Sequence, residues 1–128
     1  MTEIYKNGDE TRVTYYHAHV YYGDDDYTRE KSARLREKAW HNWKHKLRMG
    51  RFRDQPVGPH PLAMYQIEFA PQIFSEFIPW LMHNRDGLTI LVHPGGENAY
   101  RDHAWYPLWM GEKLKLNLET LGPNNPKT

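Results

Sequence analysis

The pattern of apolar and polar positions changes period along the chain, and each period predicts an element. In residues 13–22 the side chains are mostly aromatic, β-branched or histidine, and His17 and His19 alternate with Ala18 and Val20. A period of two predicts a strand with Ala18 and Val20 on the core face and both imidazoles on the other. Gly23-Asp24-Asp25-Asp26 ends it and offers Asp26 or Thr28 as a helix cap. From residue 28 to about 49, Leu35, Ala39, Trp43 and Leu47 recur every four positions and Trp40 widens the stripe. That spacing predicts a helix ended by Gly50. Arg51-Phe52-Arg53 suggests a short strand, and residues 54–61 a turn-rich connection. Alternation returns in 62–69, with Ala63, Tyr65, Ile67 and Phe69 on one face and Met64, Gln66 and Glu68 on the other. After Pro71 a second helix is predicted to about His83 on Ile73, Phe77 and Leu81, flanked by Phe74 and Ile78. Pro79 lies inside it and predicts a kink or an early end. Residues 88–93 form the next strand, with Leu88, Ile90 and Val92 inward and Thr89, Leu91 and His93 outward.

The order β-α-β-β-α-β is the ferredoxin-like arrangement, an α+β fold with two helices on one face of an antiparallel sheet. The other face is open unless a partner or the tail covers it. Residues 94–98 read as a turn and Arg101-Asp102-His103 as a loop. In 107–121, Leu114, Leu116 and Leu118 alternate with Lys115, Asn117 and Glu119, which predicts an added strand in an extra C-terminal segment. Residues 1–12 read as a loose polar arm and 122–128 as a frayed end.

Composition narrows the classes. At 128 residues, positions 1–128 are expected to form a single domain. Aromatics make up 14% of the chain against 39% hydrophobic residues in all, so the core must rest on a few large rings. The net charge of +1 gives no general case for nucleic acid or an anionic membrane. The basic positions Arg29, Lys31, Arg34, Lys38, Lys44 and Lys46 then read as a solvated helix face. With no cysteine, disulfides and thiolate-held metals are excluded. Met1 to Asp9 has no apolar signal-peptide core, and no run has the length of a membrane span, so a soluble cytoplasmic protein is expected.

The eight histidines are the unusual number. Strand parity puts His17, His19, Gln66, Glu68, Thr89 and His93 on the helix-free face. His60, held between Pro59 and Pro61, has the parity of Gln66. His103 follows a flexible turn and can fold back, beside Asp102. Five imidazoles with carboxylates nearby are the raw material of a two-His-one-carboxylate iron site. Glu68 is the carboxylate that parity favours, with Glu97 and Asp102 as loop alternatives. His41 and His45 lie amid lysines on a solvated face, and His83 is on a helix; none of the three is assigned a role. In this topology strand one lies between the middle and last strands. His60 precedes its strand and His93 ends its own, so a flat sheet does not bring all four of His17, His19, His60 and His93 to one ion.

At these residues the chain resembles the aromatic ring-cleaving dioxygenase family that includes DOPA 4,5-dioxygenase. The segments are Tyr16-His17-Ala18-His19-Val20-Tyr21-Tyr22, Gly58-Pro59-His60-Pro61 with the strand after it, Leu91-Val92-His93-Pro94, Asp102-His103 and Leu108-Trp109-Met110-Gly111. The resemblance implies a ferredoxin-like homodimer that cleaves catechols with O2 and non-haem Fe(II). Another divalent metal such as Zn is possible in a purified sample. Extradiol cleavage assigns the catalytic work to His17, His19, His60, His93 and His103, with His17 and His19 as the central pair. The metal set is drawn from His17, His19, His60, His93 and Glu68. Trp105 and Tyr65 are candidates to line an aromatic pocket, with core packing the stronger reading for Tyr65. The rival readings are a dimeric ferredoxin-like small-molecule binder without redox activity and a cofactor-free enzyme with a histidine base.

Overall fold

A computed structural model describes residues 12–122, so the polar arm before Arg12 and the end beyond Gly122 lie outside it. The elements in chain order are β1 (Tyr16–Tyr21), α1 (Asp26–Trp43), β2 (Leu47–Met49), β3 (Met64–Phe69), α2 (Phe74–Asn84), β4 (Thr89–Pro94), α3 (Ala99–Ala104) and β5 (Leu108–Met110). The sheet is antiparallel with the order β2-β3-β1-β4-β5. This is the expected ferredoxin-like α+β sheet, extended by one strand on the β4 edge.

The alternating strands divide as their sequence requires. Ala18 and Val20 of β1, Tyr65, Ile67 and Phe69 of β3, and Ile90 and Val92 of β4 meet Leu35 and Ala39 of α1 and Phe77, Ile78 and Leu81 of α2 in one core. Burying an aliphatic or aromatic side chain of this kind is worth about 1.5–3 kcal/mol. The opposite face carries a smaller cluster of Tyr21, Met64 and Leu91, packed against Trp109, Leu114 and Leu116. The tail therefore covers the apolar half of the helix-free face and leaves the histidine half beside it. Among the described residues, no helix is long and apolar enough to cross a membrane.

Several boundaries differ from the sequence reading, each for a physical reason. β1 begins at Tyr16, where pairing to Phe69 and Pro94 starts, and not at Val13. The α1 cap is Asp25, whose carboxylate accepts the Thr28 N–H at 3.0 Å; neither Asp26 nor Thr28 caps it. α1 stops at Trp43, and a 3₁₀ turn at Lys44–Lys46 leads into β2. The four-residue spacing of the apolar stripe runs straight through this break, because Leu47 is buried from a strand instead of a helix. Gly50 follows β2 and donates its N–H to the Gln66 carbonyl at 2.7 Å; a Cβ there would approach that oxygen to 3.0 Å. The strand expected at 51–53 reduces to one bridge, Arg53 to Met64.

Pro79 does not end α2, which continues to Asn84 with Phe77, Ile78 and Leu81 all buried. Packing of that face offsets the hydrogen bond that Pro79 cannot donate. Arg101-Asp102-His103 belongs to α3 and not to a loop; the Asn98 side chain caps it by accepting the Arg101 N–H at 3.0 Å. The added strand is β5, paired with β4, and not the leucine alternation at 114–118. Leu114 and Leu116 serve that alternation by packing on the second cluster.

One tight contact fixes the approach to β1. The Gly95 N–H donates to the Tyr15 carbonyl at 2.9 Å, and a Cβ on Gly95 would fall inside the Tyr15 ring. Gly95→Ala is expected to cost roughly 1–3 kcal/mol, as overpacking does, and to lower the thermal midpoint accordingly. An unchanged midpoint would mean that the Tyr15 ring moves aside freely.

Candidate metal centre

β1 sits at the centre of the sheet, so its outward residues have neighbours on both sides. His17 is opposite Glu68 on β3 and opposite His93 on β4; His19 is opposite Gln66 and Leu91. The His17 Nε2–H donates to Glu68 Oε1 at 3.0 Å, and Arg48 Nη1 lies 3.9 Å from the other Glu68 oxygen. Glu68 thus holds His17.

His60 comes from the turn before β3. Its N–H donates to the Val57 carbonyl at 2.8 Å, and the neighbouring Pro59 carbonyl accepts the Asn117 N–H at 2.8 Å. Gly58 lies against Thr120, so the tail grips this turn from outside. The His60 Nδ1 is 2.7 Å from the Tyr21 hydroxyl. His103 comes from α3, whose start is tied to the strand end by the Gly96 N–H donating to Asp102 at 2.9 Å. Asp102 is 7% exposed, and burial pushes its carboxyl pKa up.

The rings gather around His19. Its centroid is 4.1 Å from that of His60 and 5.1 Å from that of His93, while His93 and His103 are 4.0 Å apart. Burial, followed by the neighbouring imidazoles, drives the pKa of His19 well below the usual histidine value. The same causes push His60 down to about 4. They push His93 to about 3, against the opposing bond to Pro94. His103 is also lowered, chiefly by burial. These four rings are neutral at pH 7 and carry lone pairs, which is the state in which imidazole binds metal.

Hydrogen-bond accounting assigns the lone pairs. The His93 Nδ1–H donates to the Pro94 carbonyl at 2.9 Å, so the neutral ring has its lone pair on Nε2. That nitrogen is 3.0 Å from the His19 Nε2, which must therefore be the donor. The remaining His19 Nδ1 is then an acceptor, and it is buried with no partner among the described residues. The His103 Nδ1–H donates to the Ala99 carbonyl at 2.8 Å, which leaves its Nε2 as the lone pair. His60 has its Nδ1 engaged by Tyr21 and its Nε2 over.

Two groups have ligand atoms within 4.8 Å of one another: His17, His19 and His93, and His19, His60 and His103. The five histidines form two triads that share His19. Neither triad contains all four of His17, His19, His60 and His93. Only the second triad has every member's other nitrogen engaged behind it: His93 behind His19, Tyr21 behind His60 and Ala99 behind His103. Such backing is the usual companion of metal-ligating histidine. The buried His19 Nδ1 is the unmatched atom that an ion would satisfy, so the donor set fits a divalent metal.

The other candidates fall elsewhere. Glu68 belongs to neither triad. Glu97 lines a cavity of about 560 Å³ beside Gly95 and Asp102 that reaches none of the histidines. Trp105 is 42% exposed, with the Arg101 guanidinium over its ring, and Tyr65 lies in the core, donating its hydroxyl to the Ser32 carbonyl. Sequence reasoning missed Tyr21 as a site residue, although it has the parity of His17 and His19 and parity alone puts it on their face.

A ferredoxin-like sheet with a clustered histidine wall on its helix-free face defines an α+β protein with a candidate metal site. The sequence profile of the Dopa 4,5-dioxygenase family matches residues 16–120, and the chain belongs to that family. It is 48% identical over 80 residues to an uncharacterized 21.2 kDa protein of Botryotinia fuckeliana, a match covering 56% of this chain and 44% of that protein. It is 39% identical over 66 residues to the DOPA 4,5-dioxygenase of Amanita muscaria, covering 52% of this chain and 29% of that enzyme. Both matches therefore span less than half of the curated relative. A crystal structure from Nostoc punctiforme, of a protein assigned as a dioxygenase, superposes with a TM-score of 0.82 at 45% identity, covering 90% of this chain and 96% of that one.

Proposed function

We propose that the chain is an extradiol-type ring-cleaving dioxygenase that opens DOPA or a related catechol with O2 at a non-haem Fe(II) held by His19, His60 and His103. The observation that carries this reading is that His19, His60 and His103 have ligand nitrogens within 4.8 Å of one another, while the His19 Nδ1 is buried without a partner among the described residues. Three imidazoles leave coordination positions open for substrate. Fe(II), when bound, supplies the electron transfer between catechol and O2 that no side chain performs.

The chain's own residues do the rest. Tyr21 fixes the His60 ring through Nδ1, and burial keeps its phenol protonated well above neutral pH. His17 is the general acid–base in this reading. Glu68 accepts the Nε2–H, which leaves Nδ1 to take a catechol proton, and its carboxylate stabilises the imidazolium that results. A cavity of about 270 Å³ opens on His19 and His60 and gives the substrate its way in. The chain acts as a homodimer in this reading; light scattering that returns the 15.3 kDa monomer alone would remove that part.

Protein reconstituted anaerobically with Fe(II) should convert DOPA or another catechol to a yellow semialdehyde on admission of air. No O2 uptake across a panel of catechols would sink the proposal. Turnover that survives chelation would favour a cofactor-free histidine enzyme. The two triads separate by substitution. His17→Ala is expected to keep its metal and lose roughly 10²–10⁴-fold in turnover, the usual worth of a general acid–base, while His103→Ala loses the metal. Metal analysis with the reverse pattern would move the ion to His17, His19 and His93.

A further inference from the structure

The cavity on His19 and His60 has a mouth of distinct chemistry. Its inner wall is His19, His60, Met64 and Gln66, and its rim carries Arg51 and Arg53. The two arginines are two residues apart, Arg53 is bridged to Met64 at the sheet edge, and both line the same opening. Among the described residues neither guanidinium has an ion pair, and both are exposed. The carboxylates nearest in sequence and register are engaged elsewhere: Asp54 takes Arg29 and the Tyr22 hydroxyl, and Glu68 takes His17. No carboxylate lines the cavity among the described residues. The larger cavity beside Asp102 mixes Arg12 and Arg101 with Glu97 and Asp102, so it has no such bias.

Two positive charges at the mouth of a cavity whose lining holds no carboxylate favour an anionic group, and the planar fork of a guanidinium suits a carboxylate in particular. A volume of about 270 Å³ lies just below the range of about 300–1,000 Å³ usual for small-molecule sites, which suits one substituted ring and little more. We propose that Arg51 and Arg53 recognise a carboxylate on the substrate's side chain, so that the site selects carboxylated catechols over those that lack a carboxylate. This rests on the dioxygenase reading for what happens to the ring, but recognition of the carboxylate is measured separately.

DOPA and dopamine differ by that carboxylate alone and make the test. Calorimetry under anaerobic conditions on the protein as purified should show DOPA bound at least roughly tenfold more tightly than dopamine, the low end for a charge-assisted contact. In Arg51→Gln/Arg53→Gln the preference should fall to within about threefold, through weaker DOPA binding and unchanged dopamine binding. Both side chains are exposed, so the variant should keep the wild-type circular dichroism. Dopamine bound as tightly as DOPA, no binding of DOPA, or a double variant with wild-type preference would each overturn the assignment. Oxygen uptake is followed in parallel: if no catechol is cleaved, the dioxygenase reading fails, and the binding comparison still decides the role of the arginines.

Discussion

A His19→Ala variant is expected to bind no stoichiometric Fe(II) while keeping its fold. His19 is the one histidine common to both triads, so its loss removes a ligand whichever triad holds the ion. Changes to groups behind metal ligands already cost about 10–100-fold in affinity, and deletion of a ligand should exceed that. Neighbours do not readily replace it. The His93 Nε2 points at the space His19 leaves, but its ring is tied to the Pro94 carbonyl. The fold should survive because Ala18 and Val20, on the other face of β1, carry the strand's share of the core. Two effects on the metal-free stability oppose each other. A void replaces the imidazole, and a buried acceptor without a partner disappears; leaving such an atom unmatched costs about 1–3 kcal/mol. Metal analysis with circular dichroism reads the result. One equivalent of iron retained by the variant would remove His19 from the centre.

The second large effect is acid lability of the metal-free protein. Unfolded, every imidazole titrates near pH 6.5. Folded, His60 and His93 are held near 4 and 3, and His19 and His103 are lowered as well. Between those values the unfolded chain takes up protons that the folded chain refuses, so stability falls as the pH falls. The stabilisation is complete above about pH 6.5 and is lost progressively towards pH 3–4. At pH 5, His60 and His93 should each have cost about 2 kcal/mol, a large part of the roughly 5–15 kcal/mol that a domain has. Asp102, with its carboxyl raised, works in the opposite direction at lower pH. Chelated protein should therefore melt roughly 10–20 °C lower at pH 5 than at pH 7.5. Equal midpoints would show that the imidazoles are hydrated or already protonated. Bound metal should steepen the dependence, because protons and the ion compete for the same lone pairs.

Strand parity was the legible part of this site. His17, His19, Glu68 and His93 stand where alternation puts them, because β1, β3 and β4 are regular and one face of each is buried. Spacing failed where two structures share one period. Leu47 continues a helical stripe that the chain has already left at Trp43. It failed again where an element is too short to show a period: six residues of α3 depend on the Asn98 cap and the Gly96–Asp102 bond. The preference proposed between the triads was beyond the sequence for a different reason. It depends on which ring nitrogen faces a carbonyl, and Pro94 and Ala99 contribute that carbonyl from the backbone, where residue identity carries no signal.

The grip of the tail on the Gly58–His60 turn has an evolutionary consequence. Asn117 and Thr120 belong to neither triad, yet they hold the turn that presents His60 to the cavity. A relative that keeps every histidine but changes the segment before residue 121 is expected to present His60 at a different angle. Divergence in substrate among such proteins can then begin in a stretch that motif comparison treats as trailing sequence, and the turn at Leu118–Leu121 serves as its tuning screw.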